Sequence, residues 1–266
     1  MLTVVAAMDL ELAPLRRALE SRHGVSRVGP DRYQVRGGLD VELQVIGVGR
    51  RRAMARVKEL VSSRPQLRGS TVGPLQGLLL LGFAGALDPT LRPGDLLLPT
   101  RYYRANGDFK RQGQEDFLEA DEAMWRQAEA AAAQAGLPVV RGSSLTVDHL
   151  AATAEAKASL RRQYQADAVN MEDYWVAEAA RDAGVAFLSV RSVLDAARHS
   201  LPSYLMGMNE HRGTAVLSTV GMPWRLVTLW RLAQRTQRAR RTLTRFALSF
   251  IGCQLSDMSY RLSAVS

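Results

Sequence analysis

Five short segments carry the residues best suited to chemistry. They are the acids Asp9 and Glu11, the glycine turn Gly47-Val48-Gly49, the run Gly82-Phe83-Ala84-Gly85, the polar cluster Asn170-Met171-Glu172-Asp173, and Asp195. Carboxylates can exchange protons with a substrate, and glycine-rich turns at helix starts can hold anions. Each also has an ordinary reading: an acid in the first turn of a helix is a favourable dipole partner, a glycine pair after a strand makes a tight turn, and an aspartate there can cap a helix.

What gives these segments weight is the set of elements that must position them. Residues 2–7 form a β-branched apolar run, followed by a helical pattern through Leu12, Leu15 and Leu19. Residues 41–46 alternate as a strand, and Met54, Val57, Leu60 and Val61 mark the next helix. Residues 77–82 read as a strand buried on both faces. Ala84-Gly85-Ala86 and Asp88-Pro89 after it read as loop. Further strands are expected at 95–99, 139–147 and 186–194, with helices at 119–136, from about 154 and from about 172. Strands alternating with helices predict a single-domain, three-layer α/β fold with a central mixed, mainly parallel sheet. In such a sheet sites form at the carboxyl ends of strands, and four of the five segments follow a strand while the fifth opens a helix.

Composition sets bounds. Length 266 and 47% hydrophobic residues fit a well-buried globular core. Cys253 is the single cysteine, so there is no disulfide within the chain, and the four scattered histidines lack metal-ligand spacing. No metal or cofactor is expected. The start of the chain lacks the pattern of a signal peptide, and no stretch reaches the roughly 18 apolar residues of a membrane span. A cytoplasmic protein is expected. The net charge of +9 is concentrated: residues 211–256 hold eight arginines and no acid. The body is near neutral, which argues against nucleic acid as a partner.

The ordered segments resemble the nucleoside phosphorylase family, and within it the methylthioadenosine/S-adenosylhomocysteine nucleosidases. Ala6-Ala7-Met8-Asp9-Leu10-Glu11 is similar to their Gly-Ala-Met-Glu-x-Glu, and Gly47-Val48-Gly49-Arg50 to Gly-x-Gly-Lys. Gly82-Phe83-Ala84-Gly85-Ala86-Leu87 resembles Gly-Ser-Ala-Gly-Gly-Leu, and Arg92-Pro93-Gly94-Asp95 their Lys-Val-Gly-Asp. Val169-Asn170-Met171-Glu172 is similar to Val-Glu-Met-Glu, and Val190-Arg191-Ser192-Val193-Leu194-Asp195 to Val-Arg-Ala-Ile-Ser-Asp. The resemblance covers about the first 200 residues. It implies cleavage of a purine–ribose bond, with Asp195 protonating the base at N7, Glu172 binding the ribose hydroxyls beside Met171, and Glu11 activating water. It also implies substrate contacts from Asn170, Phe83, Ala84, Gly85, His149 and Leu150, and a homodimer. The phosphorylases' arginine falls at Leu80 here, and Phe83 stands where they carry Thr or Ser. Water is therefore the expected nucleophile, with Gly49 and Arg50 as the phosphate site of the alternative. Leu194 replaces a supporting serine and Arg198 stands where an acid is common, so a non-catalytic nucleoside-binding protein is a further alternative.

A narrower resemblance is to the hopanoid-associated members acting on adenosylhopane. It rests on the run from Gly82 to Asp95 and on an arginine- and leucine-rich extension after Leu201-Pro202. Residues 1–205 would form the catalytic domain and 206–266 a basic helical extension. Along 224–251, Leu226, Leu229, Trp230 and Ala233 share one face and Arg231, Arg235 and Arg238 another. That pattern suits an interfacial helix on the anionic inner face of a membrane, where a lipid-linked nucleoside would be met. An ordinary packing helix with exposed charges, acting with small adenosyl thioethers as substrates, is the competing expectation.

Overall fold

The computed structural model describes residues 1–62, 77–105, 117–200 and 223–263, the last with side chains from 233 to 254. Strand β1 (Leu2–Ala6) is buried throughout and leads into α1 (Asp9–Glu20), whose Glu11, Leu12, Leu15 and Leu19 face inward. A hairpin of β2 (Val25–Gly29) and β3 (Arg32–Val35) extends the sheet beyond β4 (Leu39–Val45). Helix α2 (Arg50–Ser62) precedes β5 (Gly77–Ala86), and β6 (Leu96–Arg104) and β7 (Phe117–Glu119) precede α3 (Glu122–Gln134). Then come β8 (Val139–Thr146), α4 (Ala154–Tyr164), β9 (Ala168–Asn170), α5 (Asp173–Asp182), β10 (Phe187–Asp195) and the 41-residue α6 (Pro223–Ser263).

The sheet is mixed, with ten strands. β1, β4, β5 and β10 run parallel, so Ala6, Val45, Ala86 and Asp195 end at one edge. β5 pairs with β10, β10 with β6, β6 with β8, β8 with β9, and β9 again with β5. These five strands thus close into a ring whose rim carries Asp195, Gly85 and Val169.

Two expectations at the strand ends are corrected. The loop expected at Ala84-Gly85-Ala86 is strand, because β5 continues to Ala86. Its glycines mark close approaches rather than turns. A Cβ on Gly82 would collide with the Arg191 guanidinium, and one on Gly85 would sit 3.2 Å from Val169 Cγ1 and 3.3 Å from Asp195 Oδ1. Asp195 is the last residue of β10 and caps no helix, since residues 196–200 form a turn. By contrast Asp9 is an exposed first-turn acid paired with Arg16 at 3.0 Å, away from the site.

The main core lies between the sheet, α1, α3 and α6. Leu243, Phe246, Ala247, Phe250 and Ile251 of α6 are buried in one cluster with Leu15, Leu19, Trp125 and Ala128. Thr242 donates to Gly94 O at 3.1 Å and Arg245 to Ala135 O at 2.8 Å. The apolar stripe from residue 239 onward is therefore occupied by protein. Leu226, Leu229, Trp230 and Arg231 lie outside the described side chains, and the boundary at 205/206 lies outside the described residues. Among the described residues no helix is long and apolar enough to cross a membrane.

Candidate active site

Glu11 enters from the first turn of α1. Its Oε2 accepts from Met8 N at 2.9 Å and its Oε1 from Phe83 N at 3.0 Å, so one carboxylate ties β1's end to the middle of β5. Glu172, between β9 and α5, accepts from Gly49 N at 3.2 Å, and its Oε2 lies 3.6 Å from Arg191 Nη2. Arg191 reaches out of β10 across Gly82 and donates to Phe83 O at 3.2 Å. Its closest partner is Asp173, at 2.9 Å from Nε and 2.5 Å from Nη2. Asp173 also accepts from Ser144 Oγ at 2.6 Å, Ser189 Oγ at 2.5 Å and Asn170 Nδ2 at 2.8 Å.

These four charges are 0% (Asp173), 1% (Arg191), 2% (Glu11) and 5% (Glu172) exposed, so water screens them little. One guanidinium faces three carboxylates, and Asp173 is the one that accepts its hydrogen bonds, from Nε and Nη2. Burial pushes Glu11 up to about 7, against the pull of Arg191 and with the Glu172 charge adding to the rise. Burial likewise raises Glu172, opposed by Arg191 and by the Gly49 N–H. A carboxylate with a pKa near neutrality is suited to take a proton from water.

Asp195 sits on the same edge in a different setting. Lys157, on the inner face of α4 and 1% exposed, donates to Asp195 Oδ2, to His199 O at 2.9 Å and to Ala196 O at 3.2 Å. Burial raises the Asp195 pKa, with Lys157 pulling it down.

The remaining expected site residues divide. Phe83, Gly85 and Glu172 are brought to this edge, and Met171 packs beside Val169 and Leu145. Ala84 is buried against Leu97 and Ala168. Asn170 acts locally, because its Oδ1 accepts from Glu172 N at 2.9 Å and Asp173 N at 2.8 Å, which starts α5, and from Thr146 at 3.2 Å. His149 and Leu150 are exposed. Arg50 stacks over Trp175, 4.4 Å from the ring centroid, while Gly49 N–H is committed to Glu172.

Sequence reading passed over Lys157 and gave no role to Asp173 and Arg191, although both stand in the segments it quoted. Lys157 left a trace: it lies three residues before Leu160 and seven before Tyr164, which line the same core, so a lysine stands on the apolar face. Arg191, inside an apolar strand, was the parallel signal for Asp173.

The chain that carries these carboxylates is matched as a whole by known proteins. Residues 2–220 match the Phosphorylase superfamily. The chain belongs to this superfamily. Similar structures include futalosine hydrolase of Helicobacter pylori strain 26695, with TM-score 0.69 and 17% identity, covering 94% of this chain and 97% of that one. A 5′-methylthioadenosine/S-adenosyl homocysteine nucleosidase of Helicobacter pylori gives 0.67 and 18%, with the same coverage. The Campylobacter jejuni nucleosidase gives 0.64 and 19%, covering 92% and 97%. At these identities the likeness is one of fold. As a phosphorylase-superfamily chain, the protein has its buried acids on an edge formed by β1, β4, β5 and β10 of that fold.

Proposed function

We infer that this chain hydrolyses the N-glycosidic bond of an adenosine-type nucleoside and releases adenine. The observation that carries the reading is the buried trio Glu11, Glu172 and Asp195 at one sheet edge, with Glu11 held near pKa 7. Water attacks C1′ and gives its proton to Glu11. Glu172 binds the ribose hydroxyls and stabilises positive charge developing on the sugar. Asp195 in its acid form gives a proton to N7, so that the base departs neutral. Water is favoured over phosphate because the Gly49 N–H already holds Glu172 and Arg50 stacks on Trp175, which leaves the anion-binding loop engaged.

For the substrate we read a lipid-linked adenosine such as adenosylhopane, met by a cytoplasmic homodimer at the inner membrane face. The support is the run from Gly82 to Asp95 and the acid-free stretch 211–256, where Arg235, Arg238 and Arg241 line a groove of about 400 Å³ with Pro93. Small adenosyl thioethers are the second reading, favoured by the fold shared with the nucleosidases.

The test is adenine release from adenosylhopane in vesicles and from methylthioadenosine, each with and without phosphate. Release from both without phosphate is expected, faster for the lipid. Absence of release from either removes the enzymatic reading, and release only with phosphate reassigns the nucleophile. Changing Arg231 and Arg241 to Gln should weaken binding to anionic vesicles by roughly 30-fold, at about 1 kcal/mol per arginine, and high salt should do the same. Equal sedimentation of both proteins leaves the helix a packing element.

A further inference from the structure

Among described groups outside the expected site, Lys157 is the one whose placement calls for a role. A lysine is rarely fully buried unless paired, and all three of its donors are used within one small region. Two of those donors grip backbone carbonyls of the turn after β10, and the third grips Asp195. Lys157 therefore fixes the turn and the side chain together. Among the described residues only Oδ2 of Asp195 is held, by Lys157, while Oδ1 lies over the bare backbone of Gly85, within 3.3 Å of where a Cβ would stand.

We propose that Lys157 is a positioning residue for the base-protonating step: it holds Oδ2 of Asp195 so that Oδ1 alone meets the purine across Gly85, and its charge sets the upper pH limit at which Asp195 remains an acid. This deepens the nucleosidase reading and rests on it. Leu194 stands where the resemblance expects a supporting serine, so support for the acid comes here from α4 instead.

The charged and titratable groups facing Asp195 are Lys157 from α4, His199 from the following turn and Arg235 from α6, with Arg235 Nη2 3.5 Å from His199 Nε2. All three favour the carboxylate, and Lys157 is the one in contact. Burial raises the Asp195 pKa and the ammonium opposes that rise. Without the ammonium the acid form persists to higher pH, and activity that needs the acid form is lost later as pH rises.

The experiment compares wild type with Lys157→Met and Lys157→Gln, the latter keeping a donor without charge should Met fold poorly. Two quantities are followed against pH: kcat/KM for adenine release from methylthioadenosine, and the Asp195 carboxyl 13C resonance, assigned by its loss in Asp195→Asn. The carboxyl titration and the alkaline limb should both move up by about one pH unit or more in either variant. Lys157→Gln should also keep more of its low-pH kcat than Lys157→Met, with KM nearly unchanged in both. A carboxyl titration that stays put overturns the proposal whatever the activity does. A titration that moves while the limb of an active enzyme does not also overturns it, as to catalysis. If the titration moves but wild type releases no adenine at any pH, the nucleosidase reading fails and takes the catalytic role with it, while the ion pair stands.

Discussion

The two buried charge clusters at the sheet edge contrast in their balance. Around Arg191, one cation serves Asp173, Glu172 and Glu11, and the side chain that comes off worst, Glu11, is the one driven to about 7. Around Asp195 the balance is reversed: one carboxylate faces Lys157, Arg235 and His199, and Lys157 donates to it directly. The difference teaches how a single fold could draw the proposed base, Glu11, and the proposed acid, Asp195, from two carboxyl groups. Burial, with a neighbouring negative charge adding to it, leaves a carboxylate ready to accept a proton near neutral pH. A direct ion pair instead constrains where the proton-donating oxygen points.

The harshest way to break the comparison is Arg191→Met. It strips the cation from three buried carboxylates, and removing one partner of a buried network typically costs about 3–5 kcal/mol. Urea denaturation should show a loss of that order, larger than for Lys157→Met; a loss under about 1 kcal/mol would mean that the acids are already protonated or hydrated.

Next in size is Asp195→Asn, which should lower adenine release about 100-fold or more. It also leaves the Lys157 ammonium without its counter-ion, so stability should fall too. Asp195→Asn with Lys157→Met should regain part of that stability without regaining activity. Additive losses in the double variant would show that the pair is not coupled.

The subtlest test is Glu172→Gln. The Glu172 charge helps raise Glu11, so its removal should move the acidic limb of kcat/KM, set by Glu11, from about 7 to lower pH by a fraction of a unit. The same variant should lose little further on a 2′-deoxy substrate, because both changes remove one contact. Independent losses would take the ribose from Glu172.

What was legible in the sequence followed from strand endings. Glu11, Gly49 and Glu172 each follow a strand, and Asp195 ends one, at places that the α/β pattern fixes. The hairpin of β2 and β3 was not legible, although Tyr33 and Val35 alternate with polar residues, because the strands are short and carry arginines. Gly85 read as loop because a glycine turn and a close approach share the same absence of Cβ; Asp195, more than 100 residues away, tells them apart. Asn170 read as a ligand contact through the resemblance, whereas here its amide starts α5. His149 and Leu150 rested on resemblance alone, and both are exposed. Charge on the arginine-rich helix was plain, whereas the burial of its later stripe, Leu243, Phe246 and Phe250, against α1 and α3 was not, because an apolar stripe reads alike for lipid and for protein.

Gly94 carries a last consequence. With φ +97°, it lies against the stem of Arg238 and accepts from Thr242, both in α6. Its N–H donates to Val193 O at 2.8 Å, two residues before Asp195, and Asp95 O accepts from Val193 N at 2.9 Å. The terminal helix is thereby stitched through one glycine to the strand that bears the proposed acid. Shortening the protein before residue 238 would free the Gly94 turn and let the end of β10 drift, so a truncation made for solubility would be felt as lost turnover.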